Sequence, residues 1–220
     1  MNAPGPNSGP ESGTRHFAGP QGASTKLVLA SASAVRGRLL SEAGIAFEQV
    51  PAAVDEAELK ASMHAESASV ADAATALAEF KATRISARHP QALVIGADQI
   101  LECGGAWFDK PVDRSAAAAA LSALSGREHR LVSAACAVRG GTRIWQASDS
   151  ATLHMRELDA DFIERYLDAA GPTVMKSVGV YQLEGLGTHL FSRIEGDYFT
   201  ILGLPLLPLL AFLREHGVVP

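Results

Sequence analysis

The sequence is poor in cysteine and has no long apolar run. Only two of its 220 residues are cysteines, Cys103 and Cys136, and they lack the CxxC spacing and the nearby histidine pair of a zinc site. We expect both thiols to be reduced and buried, as in a cytoplasmic protein. No run of roughly 18 apolar residues is present, and the N-terminus lacks the basic and apolar regions of an export signal. These absences predict a cytoplasmic protein with no membrane partner.

Blocks of basic residues are missing as well. The net charge is −5, so the summed field of the protein would repel polyanions, and we expect no nucleic acid partner. The motifs GxxxxGK[ST] and GxGxxG are also absent, which excludes a P-loop and the common dinucleotide-binding turn. Any phosphate site in this chain must therefore have another design.

Apolar segments of strand and helix type begin only after a polar N-terminal stretch. Residues 1–25 are rich in Gly, Pro, Ser and Asn, which predicts a disordered tail. The alternation that follows predicts a single α/β domain over residues 26–220, with helices flanking a mixed sheet. The main predicted elements are a strand at LVLA followed by a helix, a helix over 67–87, a strand over 92–101, a hairpin through Gly140-Gly141, helices capped by Asp113 and Asp159, and a closing helix begun by Pro205.

The stretch LVLASASAVRGRLL, residues 27–40, places small residues and arginines where a strand passes into a helix. Such a turn exposes backbone N–H groups and the positive end of the helix dipole, and Ser31 and Ser33 add hydroxyl groups. Arg36 adds a guanidinium that can bind two phosphate oxygens. The segment is typical of an anion site, although Ser33 acting only as a cap and Arg36 as a solvated surface residue would fit the same pattern.

Asp98 and Lys81 are the next candidates. Asp98 follows the apolar run ALVIGA near the end of a predicted central strand, where open α/β sheets place their ligands. An aspartate there requires a cation, a metal or several donors, or it caps a neighbouring helix. Lys81 lies about 40° around its predicted helix from the apolar stripe, so it either extends outward to solvent or points into a cleft.

Three more charged residues stand in predicted loops. Lys110 precedes Pro111, which favours extended backbone at the lysine, and Glu56 and Glu184 could ligate a hard divalent cation. Each of the three could equally be a solvated surface residue. Together with the earlier candidates, they supply the cations, hydroxyl groups and carboxylates needed for magnesium-assisted attack on a polyphosphate.

Eight ordered segments resemble the Maf family of nucleoside triphosphate pyrophosphatases: LVLASASAVRGRLL, the VDE loop, LAEFKA, VIGADQI, DKP, LSGREH, YQLEGLG and IEGDYFTILGLPL. The resemblance covers roughly residues 26–217. Several motifs in a fixed order are far more specific than any one of them.

The resemblance implies an α/β fold with a deep cleft between two lobes, a divalent cation such as Mg²⁺ or Mn²⁺, and a homodimer. It also implies hydrolysis of a nucleoside triphosphate to the monophosphate and pyrophosphate, which removes non-standard nucleotides. Carried over by position, it assigns phosphate binding to Ser31, Ser33 and Arg36. It assigns charged cleft positions to Glu56, Lys81 and Lys110, and the proton acceptor to Asp98. On this basis Asp98 and Glu56 are the expected metal ligands.

Three positions depart from the usual family pattern. The opening SPRR reads SAVR, which puts Val35 in place of the first arginine; the usual aspartate-threonine pair reads Asp98-Gln99; and the usual IQG reads Leu183-Glu184-Gly185. The changes resemble the branch that acts on 7-methyl-GTP. Glu184 could pair with the positive charge of a methylated guanine, or it could be a metal ligand.

A non-catalytic alternative fits the same resemblance, since some members of the family are linked to septum formation and cell division. If the protein were a nucleotide-binding regulator, the departures from the family pattern at Val35 and Glu184 would be losses of catalytic function. The retained lysines and Asp98 favour the enzyme over the regulator.

Overall fold

A mixed seven-stranded sheet forms the centre of the computed structural model, which describes residues 25–53 and 55–220. The tail predicted for residues 1–25 lies outside the described residues except for Thr25. The strands are β1 (Leu27–Ala30), β2 (Glu48–Gln49), β3 (Leu93–Cys103), β4 (Ala106–Phe108), β5 (Glu128–Arg139), β6 (Thr142–Met155) and β7 (Phe191–Glu195). Their order is β2-β1-β3-β5-β6-β7, and β4 pairs with β3.

The sheet combines parallel and antiparallel pairing. Strand β1 runs parallel to both β2 and β3, whereas β3, β5, β6 and β7 are joined by antiparallel pairs. The hairpin between β5 and β6 turns through Gly140 and Gly141, whose φ angles of 55° and 79° suit glycine in a two-residue turn. The predicted α/β class with a mixed sheet, and the predicted hairpin, are confirmed.

In the described residues, seven α-helices flank the sheet. They are α1 (Ala34–Glu42), α2 (Glu56–Ala65), α3 (Val70–Ser86), α4 (Arg114–Leu124), α5 (Ala160–Ala170), α6 (Tyr198–Ile201) and α7 (Leu206–Glu215), with 3₁₀ helices at Pro172–Lys176 and Leu186–Leu190. The side chains of Ser33, Asp113 and Asp159 accept hydrogen bonds from backbone N–H groups three residues later, which confirms the predicted helix starts. No helix within the described part of the chain is long and apolar enough to cross a membrane.

Alternate residues of β1 enter different hydrophobic clusters. Leu27 and Leu29 pack with apolar residues of α1 and α7, whereas Val28 and Ala30 pack with residues of α3. A further cluster joins the far end of β3 to α4, α5 and the loops before β7. The sheet is therefore covered on both faces near β1, and β3 passes from one cluster to the next.

Helix α3 approaches β3 most closely at Gly96. A Cβ atom on Gly96 would lie 2.0 Å from the Ala78 carbonyl oxygen and 2.9 Å from the Cβ of Ala82. Gly96 precedes Asp98 by two residues on the same face of its strand, and Ala78 precedes Lys81 by about one helical turn. The contact at Gly96 therefore sets the distance between two of the predicted site residues.

Several predictions from sequence were wrong. Segments predicted as loops contain α2 and β4, so Glu56 lies in the first turn of a helix with Asp55 as its N-cap. Helix α2 has no fully buried residue, and the two partly buried apolar side chains that it packs against the core give too short a periodic signal to identify a helix. Helix α3 begins at Val70 rather than at residue 67, with Ser69 as its cap.

The predicted buried thiols are confirmed, since Cys103 and Cys136 are free and buried.

We predict that Gly96→Ala lowers the free energy of unfolding by about 1–3 kcal/mol, because the added methyl group must push α3 away from β3. Chemical denaturation monitored by circular dichroism measures this loss. Gly185→Ala is the matched control, since its new methyl group would meet no other atom within 4 Å. A Gly96→Ala protein as stable as the Gly185→Ala protein would contradict the proposed packing constraint.

Candidate active site

A cleft of about 420 Å³ opens beside the middle of β3. Its walls come from the first turn of α1, from α2, from the loop before α4, and from the segments at 176–184 and 201–202. Five cationic side chains and four carboxylates line it, so the cleft carries a net positive charge although the whole chain is at −5. Such a cleft attracts a polyanionic ligand of small size.

Lys81 joins the two carboxylates that were predicted as metal ligands. Its ammonium nitrogen lies 2.5 Å from Oδ1 of Asp98 and 2.9 Å from Oε1 of Glu56. Lys81 and Asp98 are only 6% and 5% exposed, so the lysine points into the cleft and does not extend to solvent. Asp98 pairs with this cation rather than capping a helix, which satisfies a charge that would otherwise be costly to bury.

Ser31 and Ser33 have different places in the opening turn. The buried Oγ of Ser31 accepts hydrogen bonds from the backbone N–H of Ser33 at 3.2 Å and from Nη1 of Arg36 at 3.3 Å. The Oγ of Ser33 accepts from the backbone N–H of Arg36 at 3.3 Å, and Ser33 lines the cleft. Gln49 supports the turn by donating to the carbonyl oxygens of Ser31 and Ser33 at 2.8 and 3.1 Å.

The Arg36 side chain is buried at the base of the cleft. Its Nε donates to the carbonyl oxygen of Gly203 at 2.7 Å, and its Nη1 donates to that of Ala97 at 2.8 Å. Burial lowers the pKa of Arg36, whereas the charges of Asp98 and Glu56 raise it. Because Nε and Nη1 donate to protein oxygens, Nη2 is the nitrogen left to bind a ligand. Arg36 is therefore not a solvated surface residue, and it holds β3 and the turn before α7 against α1.

Three further lysines line the cleft, of which only Lys110 was predicted. Lys60 forms an ion pair with Asp109, and Lys176 ends the first 3₁₀ helix. Reasoning from sequence missed Lys60 because it lies in the unrecognised α2. It missed Lys176 because a five-residue 3₁₀ helix has no periodic signal. The two residues add positive charge to the walls of the cleft.

The segment that leads to Glu184 is held by two tyrosine hydroxyl groups. Tyr166 donates to the carbonyl oxygen of Val180 at 3.0 Å, and the hydroxyl of Tyr181 lies 2.8 Å from Nε2 of His129. Val180 is fully buried with φ at 60°, a conformation that costs a β-branched residue energy and persists only where its surroundings fix it. Burial raises the pKa of Tyr181 and lowers the pKa of His129 to about 4. Reasoning from sequence did not identify Tyr181, which lines the cleft.

Glu184 lies at the rim of the cleft with its side chain 23% exposed. One of its carboxylate oxygens forms an ion pair with Nη2 of Arg38, a residue that does not line the cleft. The structure thus brings together Ser33, Arg36, Glu56, Lys81, Asp98, Lys110 and Glu184 around one cleft. Ser31 lies behind it, in contact with Arg36.

The carboxylates of Asp98 and Glu56 fit a divalent cation only in part. Among residues 25–53 and 55–220, no group of three or more His, Cys, Asp or Glu side chains is arranged to hold a metal. Asp98 and Glu56 nevertheless converge on a single ammonium. Mg²⁺ is commonly bound through one or two carboxylates together with substrate phosphates. The pair therefore fits a cation that arrives with a phosphorylated ligand.

The family model for Maf-like proteins matches residues 26–216. The chain belongs to the Maf family. A protein from Paramagnetospirillum magneticum named nucleoside triphosphate pyrophosphatase is 57% identical over 190 residues, which cover 86% of this chain and 98% of the relative. One from Granulibacter bethesdensis with the same name is 55% identical, covering 87% and 97%. One from Mesorhizobium japonicum named 7-methyl-GTP pyrophosphatase is 50% identical, covering 88% and 98%.

Membership of the Maf family confirms the resemblance drawn from the eight segments. Relatives named nucleoside triphosphate pyrophosphatase are 50–57% identical to this chain, and the relative named 7-methyl-GTP pyrophosphatase is 50% identical, so similarity over the whole chain does not separate the two names. Within this Maf protein, the residues at the cleft must carry any preference for a base.

His129 makes a testable contribution to acid sensitivity. Its pKa is about 4 in the folded protein and about 6.5 in the unfolded chain, so the unfolded state binds more protons between these values. The free energy of unfolding should therefore fall as the pH drops from 6.5 to 4, by up to about 3 kcal/mol from this residue. His154 and Tyr181 are its neighbouring titratable groups, and burial is the largest cause of the shift.

Urea denaturation at several pH values, on wild type and His129→Gln, measures this contribution. Glutamine does not titrate and can still hydrogen-bond Tyr181, so the variant should lose less stability over the same range. His189→Gln changes an exposed histidine and serves as the control. Equal acid sensitivity of wild type and His129→Gln would refute the assignment.

Proposed function

We propose that this Maf protein is a pyrophosphatase that hydrolyses a nucleoside triphosphate to the monophosphate and pyrophosphate. The observation that carries the proposal is the buried Lys81 ammonium shared by Asp98 and Glu56 beside a cleft with net positive charge. The names of the relatives from Paramagnetospirillum magneticum and Mesorhizobium japonicum support the same activity. Hydrolysis of non-standard triphosphates would remove them from the nucleotide pool.

The triphosphate binds at the first turn of α1 in this proposal. Backbone N–H groups at the start of the helix and the Ser33 hydroxyl face the cleft there, and the helix dipole favours negative charge. Nη2 of Arg36 binds one phosphate oxygen, and Lys110 and Lys176 neutralise others from the opposite wall. These contacts place the phosphoanhydride bonds next to Asp98.

Asp98 is the proposed proton acceptor. Lys81 holds its Oδ1 at 2.5 Å, which fixes the carboxylate and leaves Oδ2 to take a proton from water. The water oxygen forms a bond to the α-phosphorus, and the bond from that phosphorus to the bridging oxygen breaks. Pyrophosphate then leaves with the electron pair, and the cationic side chains stabilise its charge.

We propose that Asp98 and Glu56 hold a divalent cation, Mg²⁺ or Mn²⁺, once a triphosphate supplies further oxygen ligands. When bound, such a cation neutralises phosphate charge and polarises the reacting phosphoryl group. Lys81 would balance the remaining negative charge of the two carboxylates and supply positive charge at the reaction centre.

Glu184 makes 7-methyl-GTP a candidate substrate. Its carboxylate lies at the rim of the cleft, where Oε2 can accept a hydrogen bond from a guanine edge, while Arg38 pairs with Oε1 and reduces the negative charge that a methylated ring would meet. The relative from Mesorhizobium japonicum is named for this substrate. The homodimer implied by the family resemblance and the cytoplasmic location expected from the sequence stay predictions. The non-catalytic regulator is not favoured, because the charged residues needed for hydrolysis converge on one cleft.

A panel of nucleotides tests the proposed activity directly. The purified protein is incubated with Mg²⁺ or Mn²⁺ and with 7-methyl-GTP, GTP, dTTP and UTP, and pyrophosphate and monophosphate are quantified. We expect equimolar release of both products from at least one triphosphate. Tight binding of a nucleotide without any product would contradict the enzyme and favour the regulator.

Asp98→Asn should lower kcat by roughly 10²- to 10⁴-fold, the usual contribution of a general base. The amide keeps the shape of the side chain but accepts a proton poorly, and Glu56 remains as the counter-ion of Lys81. Steady-state pyrophosphate release measures the change, and circular dichroism checks that the variant is folded.

Asp109→Asn is the control for Asp98→Asn. Asp109 is an exposed carboxylate that also lines the cleft, and it pairs with Lys60 away from Asp98. Its kcat should stay within a few-fold of wild type. A near-normal rate for Asp98→Asn would remove Asp98 from the mechanism.

A further inference from the structure

The ion pair between Arg38 and Glu184 joins α1 to the segment that closes one end of the cleft. Arg36 and Arg38 are two residues apart on α1, so their side chains leave the helix in nearly opposite directions. Arg36 is buried at the base of the cleft, whereas Arg38 is 47% exposed and does not line it. Arg38 therefore reaches Glu184 from outside the cleft.

This pair changes the charge that Glu184 presents to a ligand. Without Arg38, the carboxylate would attract any positively charged base in the cleft. With Arg38 paired to Oε1, the negative charge of the carboxylate and the positive charge of the guanidinium nearly cancel for a ligand in the cleft. Oε2 can still accept a hydrogen bond. Arg38 also lies 3.9 Å from Glu42, but that contact is on the exposed side of α1 and away from the cleft.

Glu184 is also fixed from the other side of its segment. Tyr181, three residues earlier, is buried and lies 2.8 Å from His129 through its hydroxyl group. The backbone before Glu184 is thus anchored in the core, and Arg38 holds the end of the side chain. A change at Arg38 should alter the charge at Glu184 without moving the segment that carries it.

We propose that Arg38 is a specificity-determining residue that acts through Glu184. By pairing with this carboxylate, it limits the advantage of a base that carries a positive charge over a neutral base of the same shape. The proposal deepens the proposed function and rests on it for the identity of the ligand as a nucleoside triphosphate. Arg38 itself is a positioning and charge-compensating residue and does not touch the substrate.

Binding of 7-methyl-GTP and GTP provides the test. The two ligands differ by one methyl group and, below neutral pH, by one positive charge on the ring. Dissociation constants are measured by calorimetry without divalent metal and at low salt, for wild type, Arg38→Gln, Arg38→Lys, Glu184→Gln and the Arg38→Gln/Glu184→Gln double variant. Pyrophosphate release with Mg²⁺ is measured on the same samples.

Arg38→Gln should shift the ratio of the two dissociation constants about three- to tenfold in favour of 7-methyl-GTP, because it leaves Glu184 uncompensated. The shift should shrink at high salt. Arg38→Lys should keep the wild-type ratio, and Arg38→Gln should have no effect on the ratio when Glu184 is already Gln. Lys26→Gln removes one cation from a different exposed pair, with Glu48 at 2.7 Å, and should leave the ratio unchanged.

A purely structural role for Arg38 would weaken both ligands equally and leave the ratio constant, which would overturn the proposal. An equal shift in the Glu184→Gln background would overturn it as well. The two readouts separate this inference from the proposed function. A shifted binding ratio without pyrophosphate release supports the role of Arg38 and contradicts the proposed pyrophosphatase activity. Pyrophosphate release with an unchanged binding ratio supports the activity and contradicts the role of Arg38. Failure of both nucleotides to bind would contradict both.

Discussion

The candidate site depends on one buried ammonium group that two carboxylates share. Lys81 comes from α3, Asp98 from β3 and Glu56 from the first turn of α2, so the three charges tie a helix, the central strand and the outer helix to one point. A buried aspartate without a cation would be strongly destabilising. The arrangement is possible only because Gly96 lets α3 approach β3 at backbone distance. The contact at Gly96 thus determines both the packing of α3 on β3 and the distance between Lys81 and Asp98.

The surrounding residues extend this arrangement into a site for a polyanion. Arg36 is fixed by carbonyl oxygens of Ala97 and Gly203, which are 61 and 167 residues away in sequence, so its position is determined by the fold as a whole. Lys110 and Lys176, which also line the cleft, lie on a loop and a 3₁₀ helix. The cleft therefore combines a base fixed by contacts between distant segments, where proton transfer is proposed, with cationic side chains for the phosphates of a ligand.

Much of this could be predicted from the sequence, and the limits have physical causes. The strand-turn-helix opening, the buried strand that carries Asp98 and the helix caps follow from local patterns, and the structure confirms them. The predicted place of Asp98 near the end of that strand was wrong, because β3 continues for five residues beyond it and Asp98 lies in the middle. Periodicity placed Lys81 near the edge of an apolar stripe, but only the packing of α3 on β3 decides that it points inward. Helix α2 escaped detection because only two of its side chains pack against the core, and both are partly buried. The role of Arg36 in holding distant carbonyl groups, and the contact between Arg38 and Glu184, join segments that no local pattern connects.

A crystal structure with a nucleoside triphosphate analogue tests the central claim most directly. An analogue with a methylene group between the α- and β-phosphorus atoms resists cleavage, and Mn²⁺ can be located by its anomalous scattering. We expect triphosphate density at the first turn of α1, in contact with Arg36, and a manganese peak beside Asp98 and Glu56. A triphosphate bound elsewhere, or manganese remote from both carboxylates, would contradict it.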